Sequence, residues 1–274
     1  MTPLIPAKAG IQLEENGDRN KRGLLGKNWV SASAGTSGLG DTVRAKANLK
    51  ENRAAPIAIA DVTLLADLSG ALYWDEERIL VVSDLHLEKG SSFALRGILL
   101  PPFDTAATLA KLAAVVAHYD PRTVIALGDS FHDRDAHERL NDGDRDAVKA
   151  LQAGRDWIWI EGNHDPLPPA SLAGSVATEI ALGPITFRHQ PSGAADEIAG
   201  HLHPKARVAT RGRGIDRRCF AGDGARIVMP SLGAYTGGLS IRDRAFAKIF
   251  ASDDFTAHVI GDASMHVIAA SRWY

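Results

Sequence analysis

Short apolar runs, each ended by a polar cluster, set the pattern of this chain. Ile79 to Val82, Thr123 to Leu127 and Trp157 to Ile160 predict buried strands. Each leads at once into chemistry-bearing side chains. The first is followed by Ser83-Asp84-Leu85-His86, the second by Gly128-Asp129-Ser130-Phe131-His132-Asp133, the third by Glu161-Gly162-Asn163-His164-Asp165. Gly200-His201-Leu202-His203-Pro204 comes later. In an extended segment residues i and i+2 point the same way, so Asp84 and His86 are expected to face one metal ion at the carboxyl end of their strand. Open α/β folds place ligands at that end.

The remaining pattern supports this layout. Ile57 to Leu65 and Ala71 to Trp74 predict strands joined by a turn at Asp67-Leu68-Ser69-Gly70. Pro101-Pro102-Phe103 opens a helix over 105–118, with Asp104 or Thr105 as its cap and Leu109, Leu112, Ala113 and Val116 as its apolar stripe. Asp133 to Asp144 is acid-rich and predicts an exposed loop, followed by a short helix near 145–152. Strands that alternate with helices indicate an α/β fold with partly parallel pairing. The second half changes character. Val176 to Leu182 and Ile185 to His189 predict a hairpin about Gly183-Pro184. Ala206 to Thr210, Cys219-Phe220, Ala225 to Met229 and Phe255 to Ile260 predict further strands. Helical periodicity is scarce there, so a second sheet packed on the first is expected.

Composition narrows the class. The chain has 274 residues, 45% of them hydrophobic, enough for one sizeable core. No apolar run is long enough for a membrane helix, and no hydrophobic stretch near the N-terminus predicts a secretory signal. A single cysteine, Cys219, excludes an intramolecular disulfide and sits in an apolar stretch, so it is expected in the core. A cytoplasmic protein is the expectation. The formal charge of -2 conceals an uneven spread. Residues 1–55 carry nine Lys and Arg against five Asp and Glu, and the remainder carries 22 against 28. The body is therefore no bulk nucleic-acid binder, and any such contact needs local patches and metal ions. Residues 1–55 lack periodicity and predict a disordered or weakly ordered extension, leaving 56–274 as the folded domain.

Asp84, His86, Asp129, Asn163, His189, His201 and His203 together make a donor set for divalent ions. A carboxylate can bridge two cations, and imidazole with an amide carbonyl suits Mn²⁺, Fe²⁺, Zn²⁺ or Co²⁺. Asp84-Leu85-His86, Gly128-Asp129, Gly162-Asn163-His164-Asp165 and Gly200-His201-Leu202-His203 resemble, motif by motif, the calcineurin-like binuclear metallophosphoesterases. His189, in Phe187-Arg188-His189-Gln190-Pro191, fills that family's lone-histidine position. The resemblance implies a four-layer metallophosphoesterase sandwich, two mixed β-sheets flanked by helices. It implies one ion on Asp84, His86, Asp129 and His203 and another on Asp129, Asn163, His189 and His201, with Asp129 bridging. It also implies that a hydroxide activated by two metals attacks the phosphate ester in line. His164 would then act at the leaving oxygen, oriented through a hydrogen bond that Asp165 accepts. His118, His258 and His266 match no cluster and are expected to be surface or packing residues.

A narrower resemblance extends beyond the ligands. Ser83-Asp84-Leu85-His86-Leu87-Glu88-Lys89-Gly90, Leu95-Arg96-Gly97, Pro101-Pro102, Arg218-Cys219-Phe220 and Pro230 to Gly238 are similar to the bacterial DNA ligase-associated metallophosphoesterases, labelled DNA damage response endonucleases. That similarity implies a Mn²⁺-dependent phosphodiesterase and endonuclease in DNA repair. It also implies single-stranded or structured DNA as substrate, functional association with an ATP-dependent DNA ligase, a helicase and a nuclease, and a homodimer. Lys89, Arg96 and His132 are expected phosphate contacts, as are Arg213 and Arg217 in the basic stretch after His203. The alternative is a phosphatase or phosphodiesterase acting on a small nucleotide or other phosphate ester, because the same metals serve both.

Overall fold

The apolar runs that opened the chain alternate between two cores. From Ile79–Val82, Ile79 and Val81 enter one cluster while Leu80 and Val82 enter another. Thr123–Leu127 sends Ile125 and Leu127 to the first and Val124 and Ala126 to the second. Asp156–Ile160 divides its isoleucines and tryptophans in the same way. A strand buried on both faces has no polar face to show, which explains the continuous runs.

The structure, a computed structural model, describes residues 53–165, 171–210, 213–250 and 254–269. Most of the expected N-terminal extension lies outside these. The first sheet has the strand order β1 (Ala54–Ile59), β2 (Val62–Asp67), β3 (Leu72–Trp74), β4 (Ile79–Val82), β5 (Thr123–Leu127), β6 (Asp156–Ile160), β7 (Ser175–Ala177). Neighbours from β1 to β4 are antiparallel, and those from β4 to β7 are parallel. Among the described residues four helices accompany it: α1 (Lys89–Leu95), α2 (Asp104–Tyr119), α3 (Ala136–Arg139) and α4 (Asp142–Gln152).

The second sheet contains β8 (Glu179–Leu182), β9 (Ile185–Arg188), β10 (Glu197–Ala199), β11 (Lys205–Thr210), β12 (Arg213–Gly222), β13 (Arg226–Val228), β14 (Thr256–Ile260) and β15 (Met265–Ala269). Its order is β15-β14-β12-β13-β10-β9-β8, with β11 paired to β12. Strand β10 runs parallel to β9 and β13, and the other pairs are antiparallel.

The layers follow from the burial. Ile57, Leu72 and Ile125 of the first sheet meet Phe187, Ile198 and Phe220 of the second in the central core. Leu109, Leu112, Val115 and Val116 of α2 and Val148 of α4 cover the outer face of the first sheet. The outer face of the second is covered by Ile241, Phe246, Ile249 and Phe250, around a 3-10 turn at Phe246–Lys248. This is the expected α/β sandwich of two mixed sheets. Fully burying one such Leu or Phe contributes about 1.5–3 kcal/mol. Cys219 is wholly buried, as expected.

Several local expectations are corrected. The stretch 57–65 is a hairpin, because Ala60 and Asp61 take positive φ and reverse the chain. Val176 to Leu182 spans two strands, β7 in the first sheet and β8 in the second; the apolar pattern cannot say which sheet a strand joins. The acid-rich segment is largely helical, since Asn141 caps α4 by accepting the Asp144 N–H at 2.9 Å. Asp104 and Thr105 do not cap α2. Asp104 accepts from the Gly90 N–H and Thr105 from the Glu88 N–H, each at 2.8 Å, which anchors the start of α1 instead. Ala113 is exposed, and Val115 and Tyr119 complete the buried stripe.

Candidate metal centre

Parallel pairing brings the polar clusters to one edge. The pairs Val82 with Ala126 and Leu127 with Ile160 bring the ends of β4, β5 and β6 side by side. Backbone bonds then lace the first two loops together, His86 N–H to Asp129 O and His132 N–H to Leu87 O, each at 2.9 Å. Because β9 and β10 are parallel, His189 and the Gly200–His203 loop leave the second sheet at the same end. The His201 N–H reaches across to Asp84 Oδ2 at 3.0 Å and ties the sheets together.

The backbone there is not extended. Asp84, His86, Asp129, His201 and His203 all have positive φ, between 45° and 68°. Left-handed backbone at such residues costs on the order of 1–3 kcal/mol each and persists only where the surroundings enforce it. Asp84 and His86 therefore converge through alternating turns, not through the strand geometry expected.

Two donor groups result. Ligand atoms of Asp84, His86 and His203 lie within 4.8 Å of one another, as do those of Asp129, His189 and His201. In the first, Asp84 Oδ1 is 3.1 Å from His203 Nε2, and both atoms are buried without a hydrogen bond. Leaving such atoms unsatisfied costs about 1–3 kcal/mol each, and a divalent cation between them would relieve both. In the second, His189 Nε2 lies 3.4 Å from Asp129 Oδ1, 2.9 Å from Asn163 Oδ1 and 3.2 Å from His201 Nδ1. The donor chemistry of both groups fits a binuclear divalent-metal site. His86 Nε2 is 3.9 Å from Asp129 Oδ2, so the two oxygens of Asp129 face different groups. Asp84 Oδ2 is held by the Ser83 hydroxyl, a buried support that the reading of the sequence did not single out. A further group, His86, His132 and His164, shares His86 and contains no carboxylate.

Electrostatics prepare these groups for cations. Burial would raise Asp84 and Asp129, but the histidine contacts outweigh it and hold both below the usual carboxylate range. Burial lowers His86 to about 3 and leaves it a neutral ligand at pH 7. His189 is the reverse case. Burial opposes its charge, yet the Asp129 contact and the Asp84 and Asp129 charges push it up to about 9. Its Nδ1 donates to the Leu127 carbonyl at 2.9 Å, so Nε2 faces the metal residues. In the metal-free protein the proton on His189 favours the fold below about pH 6.5, and this contribution is lost as pH climbs to about 9. A metal ion must displace that proton, so the sign reverses for binding. Metal affinity is expected to rise about tenfold per pH unit between pH 7 and 9, with proton release in calorimetric titrations. Affinity independent of pH would rule out His189 as a ligand.

His164 stands at the open side, with 40% of its side chain exposed. A carbonyl can only accept, so the bond between His164 Nδ1 and His132 O, at 2.8 Å, places a proton on Nδ1 and leaves Nε2 facing Asp129. The bond expected from Asp165 is not made. Asp165 instead accepts from the Phe131 N–H at 2.8 Å, holding the loop that carries His132. Its burial pushes its pKa to about 8. The His132 ring stacks on His164 with centroids 5.3 Å apart. Burial, then Lys89 and His164, depress His132 to about 4, with Arg96 adding to the effect. Lys89 and Arg96 are thus brought near enough to His132, the ring stacked on His164, to act on its charge.

Arg213 and Arg217 are not. Arg217 is paired with Asp262 at 2.6 and 3.1 Å. Arg213 pairs with Thr210, five steps along the hairpin from the Lys205 end, or about 17 Å at strand spacing. The hairpin carries Arg213 away from the metal residues, while Arg217, opposite Ala206 on the returning strand, is engaged by Asp262. Of the three unassigned histidines, His258 is buried on β14 and His266 is exposed on β15, as expected of packing and surface residues.

The chain resembles known proteins in sequence and fold. The sequence model of the calcineurin-like phosphoesterases matches residues 77–212. The crystal structure of Pseudomonas putida nuclease MPE aligns with 78% of this chain and 100% of its own, at 29% identity and a TM-score of 0.60. The phosphoesterase Yfce from E. coli aligns with 70% of this chain and 98% of its own, at 13% identity and a TM-score of 0.35. No curated protein sequence matches the chain.

Proposed function

The chain is a calcineurin-like metallophosphoesterase and a metal-dependent hydrolase, and from that premise we propose that it cleaves phosphodiester bonds in DNA. The observation that carries the reading is its likeness to Pseudomonas putida nuclease MPE along the whole of that chain. Supporting it, Lys89 and Arg96 act on His132, which stacks on a partly exposed His164, and this suits a substrate with phosphates on both sides of the scissile bond. Single-stranded or structured DNA and a role in repair follow from the ligase-associated resemblance. So do a homodimer and the association with an ATP-dependent ligase, a helicase and a nuclease; the proposed cytoplasmic location rests on composition, with its single buried cysteine.

Asp84, His86, Asp129 and His203 would hold one ion, and Asp129, Asn163, His189 and His201 the other, with Mn²⁺ as the working metal. When bound, the ions supply Lewis acidity, acidifying water and neutralising charge on the phosphoryl group. The chain's own residues supply the rest. Lys89 and Arg96 hold the flanking phosphate. The His132 carbonyl fixes the His164 ring by accepting its Nδ1 proton, and the ring, entering as the imidazolium, gives its Nε2 proton to the leaving oxygen and keeps the one on Nδ1. Asp165 holds the backbone that carries His132.

Hydrolysis of a generic phosphodiester and of single-stranded circular DNA, with Mn²⁺ titrated in, tests the reading. Cleavage of both substrates is the expected outcome. Hydrolysis of the small ester with intact DNA would reject DNA as substrate and favour a small phosphate ester.

A further inference from the structure

The segment Pro230–Gly238 contributes no metal ligand, yet it is built onto the metal residues at both ends. At one end, the Leu232 and Gly233 N–H groups donate to Ser83 O and Asp84 O at 2.8 and 3.2 Å. A Cβ on Gly233 would stand 2.8 Å from Asp84 O, so only glycine permits this approach. At the other end, Leu239 N–H donates to Leu202 O at 3.2 Å, and Lys205 N–H donates to Leu239 O at 2.8 Å. A Cβ on Gly238 would meet His203 Cβ at 3.2 Å and Lys205 Cε at 3.0 Å. Between these anchors the Ala234 N–H bonds Thr108 Oγ1, and Thr236 Oγ1 bonds Gly233 O, each at 2.9 Å. The loop is a fixed bridge from Asp84 to His203.

Tyr235 forms its crest. It has φ 58°, a conformation unfavourable for a bulky residue, and it is 45% exposed. The fold gains little from a half-exposed ring in a strained backbone. Strain of this kind gathers at ligand clamps, where the surroundings hold a side chain ready for use. Lys205 lies beside the same loop, its side chain running past Gly238, two residues after His203. Among the described residues no carboxylate is paired with its ammonium group.

We propose that Tyr235 and Lys205 form a nucleotide subsite on the rim beside His203. The ring stacks on the base next to the scissile phosphate, and the ammonium group meets the phosphate beyond it. The subsite rests on the nuclease reading above and names how single-stranded nucleic acid is told from a small ester. An aromatic ring accepts any base, so the subsite gives no sequence preference.

The test compares a short thymidine oligonucleotide with an abasic oligomer of equal length. Wild type is measured beside Tyr235→Ala, Tyr235→Phe and Lys205→Ala. Stacking contributes about 1–3 kcal/mol per base, so Tyr235→Ala is expected to raise KM about 5- to 150-fold on the thymidine oligomer. Tyr235→Phe is expected to restore it. On the abasic oligomer the Tyr235→Ala penalty is expected to shrink to within about twofold, since there is no base to stack. Lys205→Ala should lower the salt slope of KM by about one on both oligomers. Equal losses on both oligomers for Tyr235→Ala would assign the ring a merely structural role and overturn the proposal, as would no loss at all. If wild type cuts neither oligomer, the nuclease reading itself falls and takes the subsite with it.

Discussion

Replacing Asp129 with alanine should abolish turnover, by at least about a thousandfold, and release both ions. Asp129 is the carboxylate whose two oxygens face both donor groups, Oδ1 toward His189 and Oδ2 toward His86. No neighbour can replace it. The other carboxylate, Asp84, is turned toward His203, and its Oδ2 is occupied by Ser83 and the His201 backbone. Removing the charge also removes the Asp129 contact that helps keep His189 protonated in the metal-free protein, leaving Asp84 and the Leu127 carbonyl to favour the proton. The fold should survive, since Asp129 lies outside all three apolar clusters. Far-ultraviolet circular dichroism checks the fold while initial rates on a phosphodiester check turnover. Full activity in the variant would mean that Asp129 bridges nothing.

His164→Ala should behave differently. It is expected to keep two ions and the fold while losing about 10²–10⁴ in kcat, the usual range for one acid or base. The ring is partly exposed, held by one hydrogen bond to a backbone carbonyl, and lies outside the apolar clusters, so its removal leaves them intact. The loss should shrink on an ester with a good leaving group, such as a nitrophenolate, because that oxygen departs without a proton. A variant that lost its metals as well would show His164 to be a ligand, in the group it forms with His86 and His132.

The strands that carry the site were legible because burial on both faces writes a continuous apolar run. Strand β5 matches its expected span residue for residue. The polar clusters were legible for the same reason, since each interrupts such a run. What failed depends on partners distant in sequence. The segment Lys89–Leu95 contains Gly90 and two serines and gives no helical signal by itself. It is fixed by Asp104 and Thr105 from the next helix. Strand β10 has only three residues and exists as the parallel link between β9 and β13. Arg217 reads as a free cation until β14 and its turn bring Asp262 beside it. The choice between Asp165 and the His132 carbonyl as the partner of His164 is likewise made by loop geometry, which residue identity does not encode.

The most direct test of a binuclear hydrolase is a single Mn²⁺ titration of metal-free protein, scored at once for ions bound per chain and for phosphodiester turnover. Wild type should bind two ions, with turnover appearing as the second fills, and Asp129→Ala should bind neither. Full turnover with one ion bound, or a count of three that includes the His86, His132 and His164 group, would contradict the assignment.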